Sequence, residues 1–278
     1  MTVSHAGKDD DRGAASLPPT GLEPQRAGAL EVRLATTPAD IDAAQALRYR
    51  VFYEEMTAKP TAEMAARKRD FDSFDPYCDH LIVIDHKRGP GPKSVVATYR
   101  LLRRAAAAKH GGFYTASEFD IAPLLRYPGE ILELGRSCVL KSHRTKPVLE
   151  LLWQGIWDFV RALGIDVMFG CASLEGAEGG RHAETLGLLA GLRETPAEWR
   201  AAALPGERRI EMSASAGLDR RRALHALPPL IKGYLRLGCY IGDGAVIDRQ
   251  FDTVDVLIIL PVAAIDRKYF GRFGGPTG

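Results

Sequence analysis

Two apolar runs around one tight turn do most to limit the fold. His80-Leu81-Ile82-Val83-Ile84-Asp85 and Ser94-Val95-Val96-Ala97-Thr98-Tyr99-Arg100-Leu101-Leu102 flank Lys87-Arg88-Gly89-Pro90-Gly91-Pro92. Runs this continuously apolar read as buried strands, and the Gly/Pro turn reverses the chain, so they predict an antiparallel hairpin. Ahead of it, Glu31–Leu34 reads as a short strand. Thr37-Pro38-Ala39-Asp40 reads as a helix start, with Thr37 as N-cap and Pro38 at the first helical position. Ile41, Ala44, Leu47, Val51 and Phe52 continue it as an apolar stripe.

Beyond the hairpin, Glu130–Leu140 reads as a strand, and Leu152, Ile156, Phe159, Val160 and Leu163 as one face of a helix that ends at Gly164. Val167–Cys171 is a short strand, Arg181–Leu192 and Leu230–Leu237 are helices, and Val254–Val262 is the last strand. Residues 195–225 give no usable pattern. This order predicts an α/β (α+β) fold with a mixed, largely antiparallel central sheet flanked by helices. Residues 1–29, rich in Gly, Pro, Ala and charge, are expected to be a disordered tail, and 30–278 a single domain.

Composition narrows the function. The 278 residues carry 37 basic and 35 acidic side chains, a net charge of +2, which argues against a dedicated nucleic-acid partner. Four scattered cysteines form no Cys-x-x-Cys pair, which suits a reducing cytoplasm and disfavours structural zinc or a disulfide scaffold. No apolar leader is visible, and the run Val254–Ala264 is broken by Asp255 and Pro261, too short to span a bilayer. A cytoplasmic protein, peripheral on a membrane at most, is expected.

The chemistry concentrates in Ile131-Leu132-Glu133-Leu134-Gly135-Arg136-Ser137-Cys138-Val139. Charge inside a central strand is costly. Alternation puts Glu133 and Arg136 on opposite faces, whereas a bulge at Gly135 brings them to one face and frees a backbone N–H. Glu133 is then a candidate general base and the freed N–H an oxyanion donor. A Glu133–Arg136 ion pair at a strand end explains the same residues. The loop Asp70, Asp72, Asp75, Asp79 has oxygen-ligand character without EF-hand spacing, so capping and pairing with Arg50 or Arg100 are expected, and no metal. No His spacing suggests a metal site, and no Gly-x-Ser-x-Gly elbow suggests a serine nucleophile.

The order of elements resembles the GNAT acyltransferase fold. LRYRVFYEEM (47–56), DFDSFDPYCDHLIV (70–83), VVATYRLL (95–102), ELGRSCV (133–139) and LPPLIKGYLRLGCYIGDGAVIDRQFDTVDVLIIL (227–260) are similar to the OlsB family. These are L-ornithine N-alpha-acyltransferases of ornithine-lipid synthesis, often labelled hemolysin-like. The resemblance spans about residues 30–262. It implies transfer of a 3-hydroxyacyl group from acyl carrier protein to the alpha-amine of L-ornithine, giving lyso-ornithine lipid.

A more distant likeness to acyl-homoserine-lactone synthases is echoed at Arg48 or Arg50 with Phe52, at Asp72, Asp75 and Arg100, and at Glu133 with Arg136. It implies Glu133 as the base, with the others around the substrates. Acetyl-CoA-using members carry a Gly-rich pyrophosphate loop where this chain has Lys141-Ser142-His143-Arg144-Thr145-Lys146-Pro147, so the phosphopantetheine thioester of acyl carrier protein is the expected donor, with no bound cofactor. Lys141, Arg144 and Lys146 are expected to contact that acidic protein. Asp72, Asp75, Asp248 and Asp255 are candidates for the ornithine side-chain ammonium, with the choice open. The segment 229–237 is either a membrane-contacting or a core-packed helix. Two alternatives stand beside this reading: a lactone synthase, and a lipid-binding or membrane-lytic protein.

Overall fold

Thr37 opens the first helix as its sequence requires. Its hydroxyl accepts the N–H of Asp40, and the Asp40 carboxylate accepts the N–H of Thr37, a reciprocal cap on α1 (Pro38–Tyr49). The helix runs on into a π-helical turn over Arg50–Glu55. The computed structural model describes residues 22–265 except 193, 215 and 216. Within it, order begins before Leu30. β1 (Gln25–Ala27) pairs antiparallel with β2 (Leu30–Leu34), so part of the expected 1–29 tail belongs to the sheet. The open edge of β2 supplies backbone partners that three residues of mixed polarity can use. The remainder of that tail and the end of the chain lie outside the described residues.

α2 (Ala62–Arg67) leads into the expected hairpin of β3 (Asp79–Asp85) and β4 (Val95–Arg103). Then follow α3 (Arg104–His110), β5 (Phe119–Asp120), α4 (Ala122–Arg126) and β6 (Glu130–Val139). α5 (Lys146–Ala162) crosses over to β7 (Ile165–Glu175), and α6 (Ala183–Ala190) and the short β8 (Ala202–Ala203) and β9 (Arg209–Ile210) come next. α7 (Arg220–Ala226), α8 (Pro229–Leu237), β10 (Tyr240–Asp248) and β11 (Thr253–Pro261) complete the described chain.

The strands form one sheet in the order β1-β2-β3-β4-β6-β7-β11-β10-β8-β5, with β9 beside β10. Among the described strands, only β6–β7 and β8–β10 pair in parallel. Helices cover both faces, which explains the near-continuous apolar run of β11. Val254, Val256, Ile258 and Leu260 join the larger hydrophobic cluster, Leu257 and Ile259 the smaller one. Asp255 interrupts that run while 5% exposed.

Strand β10 is absent from the pattern read in the sequence, for a local reason. Gly242 and Gly244 interrupt its apolar alternation, and Gly244 sits at φ 77. The register against β11 slips between Ile241 and Ala245, where a Cβ on Gly242 would crowd Leu257.

The feature that positions the site is a fork. β6 and β7 pair from Glu130 and Ile165 up to Glu133 opposite Phe169, and both strands continue beyond that pair without each other. At the crotch, a Cβ on Gly170 would collide with the Leu134 carbonyl oxygen, so the close approach needs glycine. On its other edge β6 bulges. Thr98 faces Cys138 and Arg100 faces Gly135, leaving Tyr99 opposite both Arg136 and Ser137. The bulge thus falls one residue beyond the expected Gly135, and Arg136 takes the left-handed conformation, at φ 47. A left-handed non-glycine residue costs ~1–3 kcal/mol and persists only where its surroundings hold it. Ion pairs and ring contacts do so here.

Candidate active site

A cavity of about 680 Å³ fills the fork. Because side chains alternate along a strand, the residues lining it come from both faces of the sheet. Phe169, Cys171, Ser173 and Asp255 lie on the α1 side, and Met168, Ala172, Ile258 and Leu260 on the α5 side. The cavity therefore passes through the sheet. Its α1 side is polar, with Arg100, Tyr114, Glu133, Asp248 and Asp255. Its α5 side is apolar, with Trp153, Leu230 and Gly233.

Behind the polar side stands an alternating arginine–aspartate network. Arg48, fully buried, donates to Asp70 and Asp75, both at 2.7 Å. Arg100 donates to Asp72 at 2.6 Å and Asp75 at 3.1 Å, and Arg136 to Asp72 at 3.0 Å. Burial alone would raise the carboxyl of Asp75, but Arg48 and Arg100 hold it well below the usual range. Arg100 and Arg136 do the same for Asp72. The same region fixes His80, whose Nε2 lies 3.0 Å from the Asp75 carbonyl, and burial lowers its pKa to about 4.

Asp72 and Asp75 pair with arginines and do not line the cavity. Arg50 is also outside the site, its half-exposed side chain lying 3.9 Å from Glu55. Two positions along the helical run decide this, because Arg48, near the end of α1, is fully buried and Arg50, at the start of the π-helical turn, is half-exposed. Replacing Arg48 with methionine leaves two buried carboxylates without their main counter-charge and is expected to cost ~3–5 kcal/mol. A urea-denaturation midpoint for the R48M variant checks it.

Arg136 does not pair with Glu133. Its guanidinium is held between the Tyr114 and Phe251 rings, 4.9 Å and 4.6 Å from their centroids. Its Nε, 3.4 Å from Asp70, makes no hydrogen bond. Glu133, 4% exposed, instead accepts the backbone N–H groups of Tyr114 at 3.0 Å and Thr115 at 2.6 Å. Burial raises its pKa, only partly opposed by the Thr115 hydroxyl, these two backbone bonds and the nearby Arg100. The bulge does bring both expected residues to the cavity wall. Phe52 is there too, edge-on to Phe251 at 5.5 Å between centroids.

Of the three expected carrier-protein contacts, Arg144 lines the cavity and lies 3.3 Å from Glu55, while Lys146 lies 3.6 Å from Glu150. Lys141 is exposed. Much of this patch is thus neutralised locally. The segment 229–237 is core-packed: Ile231 and Tyr234 are buried, and Leu230 and Gly233 face the cavity.

The sequence reading missed Glu118. It is 3% exposed and accepts the thiol hydrogen of Cys171 at 3.2 Å. Asp255 and Asp248 stand beside it. Burial, then repulsion from Asp255, raises the pKa of Glu118; burial raises that of Asp255 against hydrogen bonds from Ser173 and Thr253, with Asp248 adding to the rise. Neither carboxylate has a salt-bridge partner among the described residues. Glu118, Cys171 and Asp255 offer ligand atoms within 4.8 Å of one another. Burial and the neighbouring acids raise the pKa of the Cys171 thiol. Burial also keeps the Cys138 thiol protonated, so neither cysteine is an activated nucleophile.

A forked sheet, a bulged strand and a cavity through the fork are the architecture of a GNAT-class acyltransferase. Residues 47–154 match the family described as acetyltransferase (GNAT) domain. The chain is 50% identical over 254 residues to the L-ornithine N(alpha)-acyltransferase of Agrobacterium fabrum, covering 90% of this chain and 87% of the relative. It is 50% identical over 253 residues to the protein of the same name from Rhizobium meliloti, covering 90% and 86%. The chain belongs to this acyltransferase family. Among solved structures, the AHL synthase LasI is similar at a TM-score of 0.46 and 11% identity, over 90% of this chain and 97% of that one. No helix among the described residues is long and apolar enough to cross a membrane.

Proposed function

We propose that this protein transfers a 3-hydroxyacyl group from the phosphopantetheine thioester of acyl carrier protein to the α-amine of L-ornithine, giving lyso-ornithine lipid. One observation carries the reading: the cavity joins an apolar side, suited to an acyl donor, to a polar side that carries both an arginine and several carboxylates. Ornithine presents one carboxylate and two ammonium groups. Arg136 supplies positive charge for the carboxylate. Asp255, backed by Glu118 and with Asp248 beside it, takes the side-chain ammonium. Glu133 takes a proton from the α-ammonium, directly or through one water.

The freed amine attacks the thioester carbonyl, and the N–C bond forms. The carbonyl becomes an oxyanion, for which the proposed donor is a backbone N–H at the bulge opposite Tyr99. Collapse breaks the C–S bond, and the second amine proton leaves with the thiolate as the carrier's free thiol. An attack positioned in this way needs no acyl-enzyme. The missing Gly-rich loop at 141–147 favours a carrier-protein thioester over one bearing a pyrophosphate.

The test mixes purified protein, 3-hydroxyacyl carrier protein and a panel of amino acids, follows thiol release and weighs the product. Ornithine-dependent release with an amide product is expected. Release with S-adenosylmethionine and a lactone product, or no release with any amine, overturns the reading.

A further inference from the structure

We propose that the outer face of α7 and α8 docks on an anionic phospholipid surface. Arg221, Arg222 and Leu224 of α7 and Lys232 and Arg236 of α8 line one shallow groove. Its one acid, Asp219, uses a carboxylate oxygen on the N–H groups of Arg221 and Arg222 as the α7 cap. Arg222 lies 3.4 Å from Glu184. Arg221, Lys232 and Arg236 have no carboxylate partner among the described salt bridges. Lys232 donates to the His225 carbonyl at 2.8 Å, a neutral acceptor that leaves its charge in place. Leu224 stands 42% exposed among these cations. Cations around an exposed leucine on a short helix suit the phosphate and upper acyl region of a bilayer.

Position strengthens the assignment. The same helix α8 turns Leu230 and Gly233 toward the cavity, and Pro228 and Pro229 at its start line it as well. The face therefore adjoins the rim of the site. An acylated amine leaving there enters a bilayer without crossing water. The choice of a lipid surface over another polyanion rests on the proposed amphiphilic product. By contrast, Arg144, on the loop before α5, and Lys146, at its start, already have carboxylate neighbours.

The test sediments the full chain with vesicles of phosphatidylcholine alone or mixed with phosphatidylglycerol. Binding to the anionic vesicles only, and its loss at high salt, is expected. The R221E/K232E/R236E variant is expected to lose roughly 100-fold in vesicle affinity. It should keep its circular dichroism spectrum and its turnover of carrier-bound donor in vesicle-free buffer. Equal binding by variant and parent overturns the proposal. So does a parent that ignores anionic vesicles while the variant's KM for acyl carrier protein rises, since the face then belongs to that protein. Vesicle binding that persists in a protein with no acyl transfer supports this surface and removes the proposed reaction instead.

Discussion

Glu133→Gln is expected to lower kcat by roughly 10²–10⁴-fold while leaving KM for ornithine within a few-fold. The site gives this loss a distinctive signature. Glu133 accepts two backbone N–H groups, one on each carboxylate oxygen. Glutamine keeps one acceptor and turns an NH₂ toward the other donor, so part of any loss could come from a displaced turn at Tyr114–Thr115. A local polar mismatch of that kind costs about 1–3 kcal/mol and lowers thermal stability at every pH. Loss of a base behaves differently. Raising the pH deprotonates more of the amine in solution, so the variant's rate climbs toward the parent's. Measuring kcat and melting temperature across pH for both proteins separates the two. A variant destabilised at all pH values, with no recovery of rate at high pH, removes Glu133 as the base and leaves it as the anchor of that turn.

The sheet was legible in the sequence wherever burial imposed a pattern. The hairpin 80–102 and the last strand read correctly because both faces are covered and apolar residues follow without interruption. β10 did not, because two glycines and an aspartate sit where its register slips. The site was legible where one residue conflicted with its surroundings. Glu133 and Arg136 in a central strand marked the bulge, whereas Asp255 was one of four aspartates among which the sequence did not choose. What local reading could not resolve was partnership. Glu133 and Arg136 are three residues apart yet bind different groups, whereas Arg48, Arg100 and Arg136 share carboxylates from a loop up to 64 residues away. Glu118 follows a short irregular turn with no periodicity, and only the tertiary fold brings it to Cys171 and Asp255.

Asp255→Asn is expected to raise KM for ornithine about 30-fold or more, the ~2–5 kcal/mol lost when one partner of a buried charge pair is removed. The residue's two roles pull stability and binding in opposite directions, which makes the result diagnostic. In the free protein Asp255 and Glu118 are buried, repel one another and have raised pKa values. The native state therefore binds more protons than the unfolded chain between the ordinary carboxylate range and these raised values. In that window stability falls as pH rises. Removing one charge relieves the repulsion, so the D255N protein should melt higher than the parent above neutral pH while binding ornithine worse. A bound ammonium needs the ionised carboxylates, so the parent's KM for ornithine should climb as pH falls toward their raised pKa values, and ornithine should raise its melting temperature most at alkaline pH. In D255N both dependences should flatten. Norvaline, which has ornithine's α-amine and carboxylate but no second ammonium, should bind the variant no worse than the parent. A variant that loses ornithine and norvaline equally, or melts lower at all pH values, would make Asp255 a structural group, and the ammonium would have to bind elsewhere in the cavity.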